Sequence, residues 1–131
     1  MLPNGIQRIE AGQFAHACVE SVTVPPSVRE ICASAFYDCS MLKKLTFQDR
    51  AESCLKTIGR EAFRGCAALA SISLPDRVEE IGLDAFIESG LETFSAPRAL
   101  RTLRQSAFQD CARLRSVHLN EGLEVLGTDE Y

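Results

Sequence analysis

The sequence has no long apolar run and no basic excess, and both absences exclude a class of protein. No apolar stretch approaches the roughly 20 residues that a membrane-spanning helix needs, so we predict no membrane span. The net charge is -4, whereas nucleic-acid-binding domains usually carry a basic face, so we do not expect a nucleic-acid partner. Residues 1–5 lack a basic stretch leading into an apolar core, so no signal peptide is predicted in this chain.

The sequence also lacks the motifs of common enzymes and metal sites. None of the six cysteines forms a C-x-x-C pair, which argues against zinc. There is no Gly-rich phosphate loop and no G-x-S-x-G turn. The two histidines, His16 and His118, lie near opposite ends of the chain. We therefore predict that the protein is not an enzyme and has no catalytic, metal or cofactor-binding residues.

The chain does contain a fragment that returns along its length. Residues 35–39, 62–66 and 107–111 all read Ala-Phe-x-x-Cys, and residues 85–89 give a variant without the cysteine. The resulting phenylalanine column has gaps of 22, 27, 23 and 22 residues and consists of Phe14, Phe36, Phe63, Phe86 and Phe108. Self-similarity at this spacing indicates a repeat architecture.

Two apolar units keep the same register in every repeat. An apolar-x-x-apolar unit precedes each Phe and starts near residues 6, 28, 55, 78 and 100, with a partial copy at 123. An L-x-x-I-x-L unit follows each Phe, at residues 19–24, 42–47, 69–74, 91–96 and 114–119. Because one unit of 22–27 residues cannot bury its own apolar side, we predict about 5.5 stacked repeats in a single domain, residues 1–131.

Local patterns predict the structure of each unit. The L-x-x-I-x-L unit alternates at its end, as a half-buried strand does. Proline follows it at positions 25, 75 and 97, where we expect it to end the strand without breaking a ladder. The Ala-Phe-x-x-Cys segment suits one helical turn, with capping oxygens from Ser34, Asp84 and Ser106.

Residues 55–75, with the sequence LKTIGREAFRGCAALASISLP, closely resemble the BspA-like, or Treponema-type, leucine-rich repeat. The resemblance implies an α+β repeat solenoid. This would be a right-handed superhelix with the L-x-x-I-x-L strands in a parallel sheet on the concave side and short helical turns on the convex side. It also implies a non-catalytic role in surface or secreted proteins that contact hosts or other cells. The chain departs from the pattern at Gln13, where Ala is expected, and in its 27-residue second repeat.

Leucine-rich repeats usually bind partners on the sheet face, so its outward positions are the candidate binding residues. A plain solvated sheet is the alternative, because the face lacks the Trp, Tyr and Arg that usually dominate binding. An insertion at residues 48–54 is either a binding loop or simple drift in repeat length. The candidate residues are Lys44, Thr46, Ser71, Ser73, Thr93, Ser95, Ser116 and His118.

Charges support the register, because equivalent residues on neighbouring repeats have opposite signs. The pairs are Glu20 with Lys43, Glu92 with Arg115, Arg8 with Glu30, and the alternation from Lys56 through Glu79 and Arg101 to Glu124. Arg29 beside Lys56 is the one unfavourable pair.

Cys39, Cys66 and Cys111 share one repeat position, which predicts buried thiols. The alternative is a Cys39–Cys66 disulfide between adjacent repeats.

Both ends of the array look uncapped, because Ile6 opens it and Leu126 lies in its last unit. The chain is therefore either a piece of a longer solenoid or stacks end to end or edge to edge with another copy. We predict a protein-interaction or adhesion module, with an unknown protein or host surface as partner. It would belong to a longer surface or secreted protein. The alternatives are a structural spacer without a ligand and an intracellular scaffold.

Overall fold

The computed structural model describes residues 2–103, 105–123 and 125–126. Within these residues the chain is a parallel β-solenoid of about five turns with almost no helix. Two short 3-10 segments occur, at Arg50–Glu52 and Gln105–Phe108. The strands are β1 Arg8–Ile9, β2 Ser21–Val24, β3 Glu30–Ile31, β4 Lys44–Phe47, β5 Thr57–Ile58, β6 Glu80–Ile81, β7 Thr93–Ser95, β8 Thr102–Leu103, β9 Ser116–His118 and β10 Val125–Leu126.

The continuous sheet of the solenoid is built from the apolar-x-x-apolar units. It has six parallel strands in the order β1-β3-β5-β6-β8-β10, and we call it the ladder. Its register aligns the last apolar residue of every unit, so that Ile9 faces Ile31 and Ile58 faces Ile81. The partial sixth copy takes part, because Leu126 faces Leu103. The predicted stacking of the repeats is confirmed.

The L-x-x-I-x-L units do not form the single sheet that the resemblance implied. β2 pairs with β4 and β7 pairs with β9, each as a separate two-stranded sheet. The equivalent segment of the third repeat, residues 71–74, is not a strand. The third unit thus divides this side of the solenoid into two parts.

The predicted helical turns are also absent at the Phe positions of the first four repeats, which form hydrogen-bonded turns instead. In the second repeat, every other N–H donates to a carbonyl of the next repeat: Ser34 to Arg60, Phe36 to Ala62 and Asp38 to Arg64. The intervening N–H groups donate to carbonyls three residues earlier in their own turn, as Tyr37 does to Ser34. An α-helix bonds each N–H to the carbonyl four residues earlier, whereas the bonds within this turn all span three residues, so the turn is not α-helical.

The backbone angles explain why the predicted helix caps are wrong. Ser34 and Asp84 have φ values of 58° and 59°, in the left-handed region, whereas an N-cap residue is normally extended. Ser106 Oγ is buried and makes no hydrogen bond within the described residues. These residues therefore belong to the turn itself and do not cap a helix.

The phenylalanine column forms the centre of the core. Neighbouring rings stack nearly parallel, with centroids 5.2 Å apart between Phe36 and Phe63 and 5.3 Å apart between Phe63 and Phe86. Phe36, Phe63 and Phe86 are completely buried, while Phe14 and Phe108 at the two ends are only partly buried. Each ring therefore joins two repeats.

The cysteine column lies beside these rings as free thiols. Cys39 and Cys66 are fully buried and Cys111 is partly buried, and no disulfide joins Cys39 to Cys66. The Cys66 Sγ donates to the carbonyl of Phe36 at 3.2 Å, and the Cys39 Sγ donates to that of Phe14 at 2.8 Å. Burial raises the pKa of Cys66 to about 12 and also raises the pKa of Cys39.

Candidate functional site

The candidate residues lie on one side of the solenoid, which we call the strand face: the outward side chains of the five L-x-x-I-x-L segments. All eight are exposed except Ser116, which is half-buried. Strand pairing places Thr93 opposite Ser116 and Ser95 opposite His118. On the other side of the third segment, the Thr46 and Thr23 hydroxyls lie 3.3 Å apart.

The strand face opens into a cleft between the third and fourth repeats. The cleft has a volume of about 210 Å³, and residues 71–74 and 93–98 supply most of its lining. Four of the eight candidate residues meet here: Ser71, Ser73, Thr93 and Ser95. The other four, Lys44, Thr46, Ser116 and His118, lie on the neighbouring strands and do not line it.

The cleft is closed at both ends by backbone hydrogen bonds. The Glu92 N–H donates to the Ala70 carbonyl at 2.8 Å, and the Ala99 N–H donates to the Asp76 carbonyl at 3.0 Å. Between these two bonds, no backbone hydrogen bond joins residues 71–74 to β7 or to β4, all of which lie in the described part of the chain. The two repeats therefore separate only over the length of a strand.

Proline accounts for part of the opening. Gln48, which directly follows β4, donates its N–H to the carbonyl of Val24 at 2.9 Å. Pro97 occupies the equivalent position in the fourth repeat and has no N–H for the carbonyl of Leu74. Proline here removes a backbone bond between two neighbouring segments of the strand face, contrary to the prediction that it would end the strand without loss of a bond.

Arg50 replaces the missing donor. Its Nη2 donates to the carbonyl of Leu74 at 2.7 Å, from the 3-10 segment in the insertion after β4. The N–H of Ala96, at the other wall of the cleft, turns to the next repeat and donates to the carbonyl of His118 at 2.7 Å. The insertion therefore contributes directly to the cleft.

The charged residues of the cleft are ones that the sequence prediction did not include. Arg50, Asp76 and Arg98 line it and are exposed. The sequence feature that could have pointed to Arg50 was the insertion at residues 48–54, in which it lies. Asp76 and Arg98 follow the strand prolines directly, in turns that were not considered part of the face. Together with the hydroxyls, these groups can donate and accept hydrogen bonds to a polar group of either charge.

Ion pairs across repeats confirm the predicted charge register outside the cleft. Lys43 Nζ lies 3.9 Å from Glu20, and Arg115 Nη2 lies 3.4 Å from Glu92. Arg8 faces Glu30 in the ladder. Glu124, the last member of the alternating column, lies outside the described residues.

A stacked parallel solenoid with this repeat is the architecture of leucine-rich-repeat proteins. More specifically, residues 1–54 and 50–131 match six copies of the BspA type leucine rich repeat region, and the chain belongs to this family. No curated protein matches the chain.

Solved structures of bacterial repeat proteins share the fold. A leucine rich cell surface protein from Faecalibacterium prausnitzii is 34% identical, with a TM-score of 0.82 over 92% of this chain and 33% of that one. The leucine rich repeat protein of T. pallidum is 28% identical, with a TM-score of 0.82 over 97% of this chain and 66% of that one. The pneumococcal vaccine antigen PcpA is 26% identical, with a TM-score of 0.67 over 94% of this chain and 39% of that one. The chain thus spans between a third and two thirds of the length of these proteins. No helix in the described residues is long and apolar enough to cross a membrane.

Proposed function

We propose that this chain is a non-catalytic protein-interaction module that binds its partner on the strand face, with the cleft at the centre of the contact. The observation that carries the proposal is the opening of the strand face between the third and fourth repeats. There, four outward hydroxyl side chains and three charged residues converge on one concavity. Concave sites with a few convergent polar groups are the usual binding sites of folded proteins.

The dimensions of the cleft limit what it can hold. Inserting a whole strand would require the two repeats to move apart by a further strand spacing of about 4.8 Å. The bonds from Glu92 to Ala70 and from Ala99 to Asp76 prevent that separation. We therefore propose that a partner inserts one polar side chain or ring into the cleft and covers the surrounding hydroxyls.

The proposed test is a binding screen of the chain against immobilised proteins and glycans, repeated with Ser71→Arg plus Ser95→Arg. The two long cations would fill the cleft while leaving the core untouched, because both side chains are exposed. Lost binding is the expected result. The matched control places two arginines elsewhere, at Gln109 and Ala112, which are exposed in the fifth repeat.

A partner that binds the cleft variant as well as the unaltered chain would move the site off the strand face. A chain that binds nothing in the screen would favour the spacer role. Circular dichroism spectra of both double variants would show whether the fold is retained.

We further propose that the chain is part of a longer adhesin on the cell surface or in the secreted fraction. One neighbour supports the proposed location, since it is described as a cell surface protein. Val117 and Leu119 of the fifth repeat are 39% and 47% exposed, while the equivalent Val22 and Val24 are buried. Another repeat or a second copy stacked there would cover them. Light scattering that shows only monomer at high concentration would argue against self-association.

A further inference from the structure

The one like-charge pair in the repeat columns lies beside a cavity. Lys56 and Arg29 occupy equivalent positions on adjacent repeats, and the Lys56 N–H donates to the Arg29 carbonyl at 2.9 Å. Arg77, from the turn that precedes the next repeat, completes the group. The cavity has a volume of about 280 Å³ and is lined by Arg29, Cys54, Lys56 and Arg77.

The three cations lack the partners that other cations of the chain have. Within the described residues, no ion pair or side-chain hydrogen bond is formed by Arg29, Lys56 or Arg77. Arg64, by contrast, contacts Glu61 at 2.7 Å and Glu88 at 3.4 Å. The unbalanced positive charge is therefore local, in a chain whose net charge is -4.

The carboxylates of the surrounding repeats do not neutralise this group. Glu79 is the next member of the Lys56 column, and its N–H donates to the Lys56 carbonyl at 2.8 Å. Its half-buried side chain forms no ion pair with any of the three cations. The Glu52 carbonyl accepts a weak hydrogen bond from the Cys54 Sγ at 3.9 Å. The lining of the cavity therefore has more charged hydrogen-bond donors than acceptors.

We propose that this cavity binds a tetrahedral oxyanion, the sulfate or phosphate group of a ligand. Two guanidinium groups and one ammonium group line the cavity and offer several charged donors, which a tetrahedral anion with several acceptor oxygens can satisfy together. A carboxylate has only two oxygens in one plane and would engage fewer of them. The site is separate from the cleft, although both use the insertion, which contributes Cys54 here and Arg50 there.

The test is a calorimetric titration of the chain with sodium sulfate and with sodium phosphate, with sodium acetate at equal ionic strength as the reference. Saturable binding of sulfate and phosphate, weaker at higher salt, is the expected result. Lys56→Gln and Arg77→Gln should each weaken it by about three- to fivefold. Lys43→Gln is the matched control, because it removes the same charge from a cation that already pairs with Glu20.

Two further probes distinguish the source of the oxyanion. Tighter binding of a sulfated disaccharide than of free sulfate would support a glycan source, and tighter binding of a hexose phosphate than of free phosphate would support a phosphate ester. Oxyanion binding no stronger than that of acetate would overturn the proposal, as would equal binding by the Lys56→Gln, Arg77→Gln and Lys43→Gln variants.

Discussion

The ladder and the strand face are built from the same repeats, but only the ladder runs unbroken. Each ladder strand is two residues long, and yet six of them pair in register. The strand face has longer strands of three or four residues and divides at the third repeat. Strand length therefore does not determine continuity here.

The difference lies in what holds neighbouring repeats at the same spacing. Beside the ladder, the Phe turns donate every other N–H to the next repeat, and the rings stack at 5.2–5.8 Å. Beside the strand face, the described residues form no such regular run of alternating bonds between repeats, and proline replaces a backbone donor where its strands end. Its third and fourth repeats can therefore separate, which leaves a cleft on the side proposed to bind a partner.

The largest loss of stability should come from removing the ring of Phe63, at the centre of the phenylalanine column. Phe63→Ala should reduce the free energy of unfolding by about 3–5 kcal/mol, because a completely buried aromatic side chain leaves a cavity between two stacked rings. The measurement is urea denaturation followed by circular dichroism. Phe14→Ala is the control at the end of the column, where the ring is partly buried and stacks on one neighbour. Equal losses at both positions would contradict the view that each ring ties two repeats.

The second-largest loss of stability is expected at a glycine beside the ladder, where two repeats approach each other closely. A Cβ added at Gly59 would lie 2.6 Å from the Ala33 nitrogen and 2.8 Å from the Cys32 carbonyl carbon, both backbone atoms of the preceding repeat. Gly59→Ala should therefore lower the free energy of unfolding by about 1–3 kcal/mol. Gly122→Ala is the matched control, since nothing lies within 4 Å of its added Cβ. Thermal melts that show no difference between the two variants would indicate that the ladder can widen freely.

The repeat period and the burial of the Phe column could be predicted from the sequence, because both follow from side-chain spacing. Which of the two kinds of unit forms the continuous sheet could not be predicted in this way. A two-residue strand such as Glu30–Ile31 is too short to show alternation, while the segment 71–74 alternates and yet pairs with none of the described strands. Hydrogen bonding between repeats depends on their spacing, which no single repeat encodes. For the same reason, Ser71 and Ser95 were identified as exposed residues, but their cleft was not.

Alkaline pH should lower the free energy of unfolding through the buried thiol of Cys66. Burial raises the pKa of this thiol to about 12, so the folded state retains a proton that the unfolded state loses near pH 9. The contribution to stability is complete below pH 9 and decreases towards pH 12, by at most about 1.4 kcal/mol per pH unit. The stability difference between the unaltered chain and Cys66→Ala should therefore shrink in this range. The measurement is a pH series of urea melts of the two chains, and a stability difference that stays constant up to pH 12 would contradict the raised pKa of Cys66.

The smallest effect should come from Arg50, at the open edge of the strand face. Its hydrogen bond to the Leu74 carbonyl is 2.7 Å long, but the side chain is exposed and the carbonyl borders the cleft. Water can replace the guanidinium there, so Arg50→Ala should cost less than about 1 kcal/mol in thermal or urea unfolding. A loss as large as that of Phe63→Ala would mean that Arg50 holds the third repeat in place. The insertion would then stabilise the strand face as strongly as the stacked rings stabilise the ladder side, and the cleft would keep a fixed shape.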